Sequence, residues 1–223
     1  MTGIMQAVAG GSGNSVPFTF QFSDEGSSST NAASYSFTLL DIGAADSTRI
    51  IAAFVGNIDS DGAEVPTSVT IGGVSATQRA SIILSNAALS LWTAAVPTGT
   101  TATVDIVYPE TQVTCGVALY SFYSLVSAVP TSTTTNSSAS GTTLSASRTP
   151  TRLQNAVIGG FVVEDTTPTI NWTILTEDSD FGPESLQEST ASLADAALSV
   201  QTPVVTVSGA DMSRVMILAL WEQ

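Results

Sequence analysis

Histidine and lysine are both absent from this chain of 223 residues, and arginine is its only basic side chain. Without histidine, the Ser-His-Asp and Cys-His arrangements of nucleophilic catalysis are excluded, and the commonest metal ligand is missing. Without lysine, Schiff-base chemistry, a Ser-Lys pair and a phosphate-loop lysine are excluded as well. Carboxylate chemistry is what remains, and the sequence favours a protein that is not an enzyme and holds no cofactor.

Positive charge is scarce, with 5 basic against 19 acidic residues and a formal net charge of -14. Nucleic-acid binding requires a basic surface that neutralises phosphates, and anionic membranes attract basic segments for the same reason. The composition therefore predicts partners that are neither nucleic acid nor membrane. An acidic surface rich in serine and threonine also keeps a particle soluble and limits non-specific association.

Cysteine and long apolar runs are the remaining scarcities. The single cysteine, Cys115, lies in an apolar run and is predicted to be a small buried hydrophobic side chain. No segment approaches the roughly 20 continuous apolar residues that a membrane span needs. Residues 1–15 lack the basic start and apolar centre of a secretory signal peptide, so we expect synthesis in a cytoplasm.

Residues 68–108 show the architecture most clearly. The pair Gly72-Gly73 separates two short β-type segments and predicts a hairpin, because glycine adopts positive φ without steric cost. Between 101 and 108, apolar residues alternate with threonine and aspartate, which predicts a strand with one buried face. Three further segments, 48–55, 112–125 and 212–221, are apolar on both faces and predict central strands. In the segment 156–163, the pair Gly159-Gly160 suggests a bulge or a close approach to another backbone.

The remaining segments leave some alternatives open. Residues 24–31 read as a polar loop, and the low-complexity segment 131–143 reads as a domain linker or a long polar loop, of which the loop is favoured. Residues 194–201 alternate like a strand, whereas a short helix is allowed within 184–192. In total, the pattern predicts an all-β fold, an antiparallel sandwich of jelly-roll type with about ten to twelve strands, forming one domain over 16–223.

A partial calcium-loop pattern lies at residues 57–62. Asn57, Asp59 and Asp61 present side-chain oxygens at alternate positions, and Gly62 allows a sharp turn. The twelfth position of the pattern is Ser68 rather than a bidentate glutamate, although Glu64 could substitute from closer by. The alternative is a hairpin tip built on Asp-Gly, which needs no ion.

Two other kinds of site are compatible with the composition. A glycosidase needs only two carboxyl groups at a set separation, and the candidate pairs are Glu164 with Asp165 and Glu184 with Glu188. Acids on a sandwich rim are more often surface charge. A carbohydrate-binding module would need an exposed aromatic platform, for which the candidates are Trp92, Trp172 and Trp221, although tryptophan in sandwich strands usually packs in the core.

The first 15 residues contain a small apolar group followed by a glycine-rich segment. This composition predicts a flexible N-terminal arm. An arm of this kind can become ordered on a partner, and Ile4, Met5 and Val8 are then the candidate docking residues.

Several short motifs resemble those of structural proteins of tailed bacteriophages that have a β-sandwich fold. They are Val69-Thr-Ile-Gly-Gly-Val-Ser-Ala76, Leu89-Ser-Leu-Trp92, Val96-Pro-Thr-Gly99, Ala102-Thr-Val104, Val117-Ala-Leu-Tyr120, Asn155-Ala-Val-Ile158, Asn171-Trp-Thr173 and Met216-Ile-Leu-Ala-Leu220. The resemblance covers roughly residues 16–223. Because the motifs are short and apolar, they specify a fold better than a role.

The resemblance implies a virion component, made in the host bacterial cytoplasm, such as a capsid decoration, head fibre or tail accessory protein. Its partners would be the major capsid protein or other virion proteins, and a homotrimer is compatible with it. The alternative is a carbohydrate-binding sandwich that attaches to a host surface. The resemblance implies no catalytic residues.

Overall fold

The computed structural model describes residues 6–7, 17–164, 169–208 and 212–223, and all regular structure in these residues is β-strand. Within the same ranges, no helix is long and apolar enough to cross a membrane. The strands in chain order are β1 (Gln6–Ala7), β2 (Thr19–Ser28), β3 (Ala32–Asp41), β4 (Ile50–Ile58), β5 (Ser68–Ile71), β6 (Val74–Ser75), β7 (Thr77–Leu84), β8 (Ala87–Ala95), β9 (Thr101–Gln112), β10 (Cys115–Tyr123), β11 (Ser132–Ser138), β12 (Thr143–Ser145), β13 (Asn155–Glu164), β14 (Ile170–Trp172), β15 (Thr176–Phe181), β16 (Leu186–Ala194), β17 (Val204–Val207) and β18 (Arg214–Glu222).

These strands form four antiparallel sheets. Sheet A has the order β1-β2-β10-β4-β8-β7, and sheet B has the order β3-β9-β5-β6. Sheet C has the order β11-β18-β13-β16-β15, and sheet D has the order β12-β17-β14. The first half of the chain therefore builds sheets A and B, and the second half builds sheets C and D.

The four sheets stack in the order B, A, C, D, with a hydrophobic core between each neighbouring pair. One core joins sheets B and A, a second joins A and C, and a third joins C and D. Sheets A and C are inner layers, so their central strands have no solvent-facing side. This explains the segments that are apolar on both faces, since β4, β10 and β18 are buried along nearly their whole length.

The first half has the strand order of a jelly roll. When β1 and the edge strand β7 are set aside, eight strands remain from β2 to β10. Sheet A contains the first, eighth, third and sixth of them in spatial order, and sheet B contains the second, seventh, fourth and fifth. The predicted all-β, antiparallel, jelly-roll-like class is confirmed.

The second half repeats this topology. Strands β11, β18, β13 and β16 occupy the positions of β2, β10, β4 and β8, and β15 stands at the sheet edge as β7 does. In sheet D, β12, β17 and β14 correspond to β3, β9 and β5. The chain is therefore a tandem pair of jelly rolls, which we name repeat 1 (residues 17–125) and repeat 2 (residues 126–223).

The spacing of equivalent strands supports the repeat. β8 begins at residue 87 and β16 at 186, while β10 begins at 115 and β18 at 214, which is the same 99-residue step. A register shift in β7 between Gln78 and Ala80 recurs in β15 between Glu177 and Ser179, again 99 residues later. Because bulges are positioned features of a ladder, their coincidence identifies the two halves as structural equivalents.

The repeats pack through their inner sheets with approximate two-fold symmetry. β4 lies against its own counterpart β13, β8 lies against β18 while β16 lies against β10, and β7 lies against β11 while β15 lies against β2. This reciprocal pattern is that of an isologous dimer interface, here formed within one chain. The two repeats share the hydrophobic core between sheets A and C. The single domain over 16–223 stays a prediction.

The structure corrects several predicted segments. The predicted polar loop at 131–143 contains strand β11, whose side chains are small and polar because it is an edge strand with a partly exposed face. Residues 24–28 continue β2 instead of forming a loop. The region 186–194 is strand β16, so the helix allowed within 184–192 is wrong. The strand predicted at 194–201 is also wrong, because residues 195–200 are not in a strand. The strands also outnumber the ten to twelve predicted, because the fold is duplicated.

Other predictions are confirmed. Gly72 and Gly73 turn the β5–β6 hairpin with φ values of 59° and 78°. Cys115 is a buried thiol, and burial raises its pKa far above the ordinary value. The flexible arm over 1–15 stays a prediction, and within it residues 6 and 7 form β1 and pair with β2. The predicted docking residues Ile4, Met5 and Val8 lie outside the described residues.

Candidate functional site

The two sides of the interface between sheets A and C differ in polarity. Strand β16 carries Glu188 and Thr190 at the positions where β8 carries Leu89 and Leu91, and all four side chains are buried. The β16 side is completed by residues from β2, β10 and β15. We name this region the polar half of the interface: Glu25, Tyr120, Asp178, Glu188, Thr190 and Ser192.

Glu188 is the most unusual residue of this region. Its side chain is fully buried, and neither carboxyl oxygen has a hydrogen-bond partner. A Cβ atom added to Gly56 would lie 2.7 Å from its Oε2, and one added to Gly116 would lie 2.5 Å from the same atom. The two glycines of sheet A therefore provide the space that the carboxyl group occupies.

We call residues that pair side by side across a sheet a row. The row of sheet C that is equivalent to the one with Gly56 and Gly116 contains no glycine. In sheet A, Leu89 pairs with Gly56, which pairs with Gly116. In sheet C the same row reads Glu188, Val162 and Val215. Glu188 of sheet C thus faces Gly56 and Gly116 of sheet A, the two smallest residues of the two rows. This complementarity shows that the local packing accommodates a glutamate at this position.

An acidic pocket lies beside Glu188 at the edge where β2 meets β15. It has a volume of about 220 Å³, and it is lined by Glu25, Glu177, Asp178, Ser179 and Asp180. The Ser179 hydroxyl donates a hydrogen bond to the Glu25 carboxylate, which links the two repeats. The Tyr120 hydroxyl donates to Asp178 Oδ2 at 2.8 Å, which makes a second link.

The carboxyl groups of this region have raised pKa values. Burial is the main cause for Glu188, whose pKa lies well above 4.5, and the charge of Glu25 adds to it. The Gly56 N–H favours the charged form to a lesser degree without making a hydrogen bond to it. Burial likewise raises the pKa of Glu25, with the charges of Asp24 and Asp180 adding to the effect.

Asp178 combines burial with hydrogen bonding. Burial raises its pKa, and hydrogen bonds from Ser192 and Tyr120 offset part of the rise because they favour the charged form. The chemistry available here is the retention of protons by crowded, partly desolvated carboxyl groups. In the described part of the chain, no group of three or more His, Cys, Asp or Glu residues is arranged to hold a metal ion.

The predicted calcium residues are only partly brought together. Asp59 and Asp61 line a groove of about 500 Å³ together with Glu110. Asp59 Oδ1 accepts the backbone N–H of Asp61 at 2.9 Å, which is the turn chemistry of the alternative interpretation. The Asn57 side chain is buried and donates to Gln112 Oε1 at 2.5 Å. Calcium binding at this loop stays a prediction.

Of the two predicted acid pairs, Glu184 and Glu188 do not form facing carboxyl groups. Glu184 is exposed at the β15–β16 turn whereas Glu188 is buried, so this pair does not share a cleft. Glu164 accepts a hydrogen bond from Asn86 Nδ2 at 3.2 Å, and Asp165 lies outside the described residues. Sequence reasoning missed the proximity of Glu25 to Glu188, because residues 24–31 were interpreted as a loop.

The three tryptophans do not form an exposed platform. Trp92 and Trp221 are 5% and 2% exposed. Trp172 is half-buried, its indole N–H donates to Ser189 Oγ at 2.8 Å, and its ring covers Gly159. The sequence feature behind the carbohydrate-binding alternative is therefore used for internal packing.

Comparisons with known proteins leave the chain without an assigned family. No family model matches it, and no curated protein does. One similar solved structure is a conserved protein of unknown function from Pseudomonas aeruginosa PAO1, with 9% identity, a TM-score of 0.30, and coverage of 99% of this chain and 90% of that one. Another is an anti-sigma factor domain-containing protein with 9% identity, a TM-score of 0.23, and coverage of 95% and 81%. These likenesses are too weak to carry a functional argument.

Proposed function

We propose that the protein is a structural component of a tailed-bacteriophage virion that acts by protein–protein assembly and not by catalysis. Two features support the proposal. The short apolar motifs resemble those of β-sandwich virion proteins, and each half of the chain is a jelly roll, an architecture found in viral capsid proteins. Since jelly rolls also occur in lectins and cupins, the surface has to supply the functional argument.

The observation that carries the proposal is a set of five exposed apolar side chains on the loops at one end of repeat 2. We name it the end patch. Its members and their exposed fractions are Val126 85%, Val129 54%, Leu153 64%, Leu198 49% and Val200 65%. On a chain with a net charge of -14, an apolar surface of this kind is typical of a contact with another protein.

Hydrogen bonds hold the loops of the end patch together. The Val126 N–H donates to Gln223 Oε1 at 3.0 Å, and the Gln223 N–H donates to the carbonyl of Gln154 at 3.0 Å. Asn155 Nδ2 donates to the carbonyl of Ala196 at 3.0 Å, which ties in the loop that carries Leu198 and Val200. The patch is therefore built on three connected loops and is pre-organised for binding.

The proposal can be tested on purified particles. Phage particles from the bacterium that carries the gene would be separated on a density gradient, and the particle band would be probed for this chain with an antibody. We expect the chain to band with the particles at a constant ratio to the major capsid protein. Its presence only in the soluble fraction would contradict the proposal.

A pair of variants tests the role of the end patch. The double variant Val126→Asp with Leu153→Asp places two charges in the patch, and we expect it to leave the particle band. The matched control is Leu39→Asp, which changes a residue of repeat 1 that is 77% exposed and lies outside the patch. Equal particle content of both variants would show that assembly uses another surface.

A further inference from the structure

The buried carboxyl group of Glu188 is costly for the fold. An ionised carboxylate without hydrogen bonds in an apolar interior is strongly disfavoured, and even a neutral one loses the hydrogen bonds it makes in water. Repeat 1 builds the same strand with Leu89 at the equivalent position. The jelly roll therefore does not require a glutamate here.

The surroundings of Glu188 are arranged for a carboxyl group and not for a salt bridge. Gly56 and Gly116 leave room for it, and Glu25 lies close enough for its charge to act on it. The carboxyl group also lies on the contact surface between the two repeats, beside the links from Ser179 to Glu25 and from Tyr120 to Asp178.

We propose that Glu188 is the proton-binding group of a pH-sensitive contact between the two repeats. The repeats pack tightly while the carboxyl group holds its proton. They separate locally along β16 when the group ionises, since the anion then draws water into the space beside Gly56 and Gly116.

Among the ionisable groups around Glu188, the charge of Glu25 favours its neutral form. Strand β2 contributes Glu25, and β10 contributes Tyr120 and Cys115, while β4 presents Gly56 and β13 presents Val162, neither of which titrates. Tyr108 of β9 interacts with Glu188 from behind β10. The acidic pocket of β15 contributes Glu177, Asp178 and Asp180.

The direction of the pH effect follows from linkage. The pKa of Glu188 is raised in the folded protein, so the folded state binds this proton more tightly than the unfolded state does. The stabilisation is complete below the ordinary value of 4.5 and is lost as the pH rises from there through the raised pKa. Within that window, the unfolding equilibrium constant increases by up to about tenfold per pH unit.

The test compares urea unfolding of the full chain and of Glu188→Gln between pH 4.5 and 8.5. The neutral amide cannot ionise. We therefore expect the unfolding equilibrium constant of the variant to depend on pH less steeply than that of the wild type, by up to about tenfold per pH unit. The matched control is Glu184→Gln, which changes an exposed acid of the same hairpin and should keep the wild-type slope. An unchanged slope in Glu188→Gln would overturn the proposal.

Hydrogen exchange provides the local readout. After correction for the intrinsic pH dependence, amides of β16 and β4 should exchange faster at high pH in the wild type, and those of β17 in the outer sheet should not. If Glu188→Gln does not fold, Glu188→Leu, which copies Leu89, takes its place. A uniform change over all four sheets, or a change that persists in the variant, would show that Glu188 is not the group that titrates.

Discussion

At one end of the jelly roll, the two repeats use different side chains to join the same pair of loops. In each repeat, the loop that precedes the third strand must be joined to the loop that follows the sixth. Repeat 1 uses Arg49, which directly precedes β4, and repeat 2 uses Asn155 at the first position of β13. The two positions correspond, because Ile50 pairs with Ala95 as Ala156 pairs with Ala194.

Arg49 is 1% exposed and uses all five of its N–H donors on backbone carbonyls. The acceptors are Val96 at 2.7 Å, Gly43 at 2.8 Å, Ala44 at 2.7 Å, Thr98 at 2.8 Å and Gly99 at 2.9 Å. Asn155 joins the equivalent loops with fewer hydrogen bonds. It donates to Arg152 at 2.7 Å and to Ala196 at 3.0 Å, and it accepts the Ala196 N–H at 3.0 Å.

This comparison teaches that the fold requires a buried hydrogen-bond donor at this position and not a particular residue. The loops cannot pair with a neighbouring strand, so their carbonyls need partners from a side chain. The longer and charged Arg49 joins more carbonyls, and we expect the end of repeat 1 to be the more rigid one. The end of repeat 2, where the side chain joins fewer carbonyls, is the one that carries the end patch.

A second comparison concerns the crossing of β4 and β13. Phe54 fills the space above Gly160, where an added Cβ would lie 2.5 Å from the ring. One pleat further, Val162 fills the space above Gly56 at the same distance. Each large residue faces its own counterpart. Two identical repeats would place like against like here, so the tandem chain permits a complementarity that a symmetric dimer lacks.

The largest effect is expected for Arg49→Ala, which would leave five carbonyls without their partner. We expect a loss of about 4 kcal/mol in the free energy of unfolding, because hydrogen bonds to charged groups contribute about 1.5–3 kcal/mol each and do not add fully. Urea unfolding measures it. Arg152→Ala, at an exposed arginine of repeat 2, should change stability by less than about 0.5 kcal/mol. Comparable losses in both variants would refute the assignment.

Gly160→Val tests the complementary crossing of the two central strands. The new side chain would collide with Phe54, and we expect a loss of about 3 kcal/mol, at the upper end of overpacking effects. In the double variant with Phe54→Ala, the new side chain fills part of the cavity, so the combined loss should be smaller than the sum of the single losses. Additive losses would mean that the two residues do not compete for one space.

Gly116→Val tests whether the polar half of the interface can be converted to the arrangement of the apolar half. Alone, the substitution should cost about 2 kcal/mol because the added methyl groups meet the Glu188 carboxyl group. Combined with Glu188→Leu, the polar half would have a leucine on sheet C and a valine on sheet A, as the apolar half has Leu89 on sheet A and Val215 on sheet C, and we expect most of the loss to be recovered. Thermal unfolding of the four members of the cycle gives the coupling energy. A coupling near zero would contradict the proposed equivalence.

Asn155→Ala should have the smallest effect, about 1–2 kcal/mol, because fewer and neutral hydrogen bonds are lost. Hydrogen exchange of the amide of Ala196 measures the local opening directly. The comparison between the two ends would be reversed if this variant lost more stability than Arg49→Ala in the same buffer.

The sequence predicted the fold class from signals that depend on single strands. Alternation between 101 and 108, the Gly72-Gly73 turn and the double-faced apolar segments each report a local property, and the structure bears them out. The pair Gly159-Gly160 predicts a bulge or a close approach to another backbone, whereas the structure places the side-chain rings of Trp172 and Phe54 against it. The tandem repeat is not evident from the apolar segments, because 48–55 and 156–163 begin 108 residues apart whereas 112–125 and 212–221 begin 100 residues apart.

The candidate site could not be predicted in the same way. Glu188 appeared as one member of an acidic segment with no feature that indicated burial. Its environment is made by Gly56, Gly116 and Glu25, which lie between about 70 and 160 positions away in the chain. Such proximity arises only when the two repeats pack face to face.

By itself, the sequence determined the chemistry that is available and the alternation that forms strands. The absence of histidine and lysine leaves carboxyl groups as the side chains that ordinarily titrate below pH 8, and the apolar segments predict central strands. The tertiary structure decided which carboxyl group is taken from water. Desolvation depends on what surrounds a residue in three dimensions, so the duplicated packing makes Glu188 a buried acid and leaves Glu184, four positions earlier, an exposed surface charge.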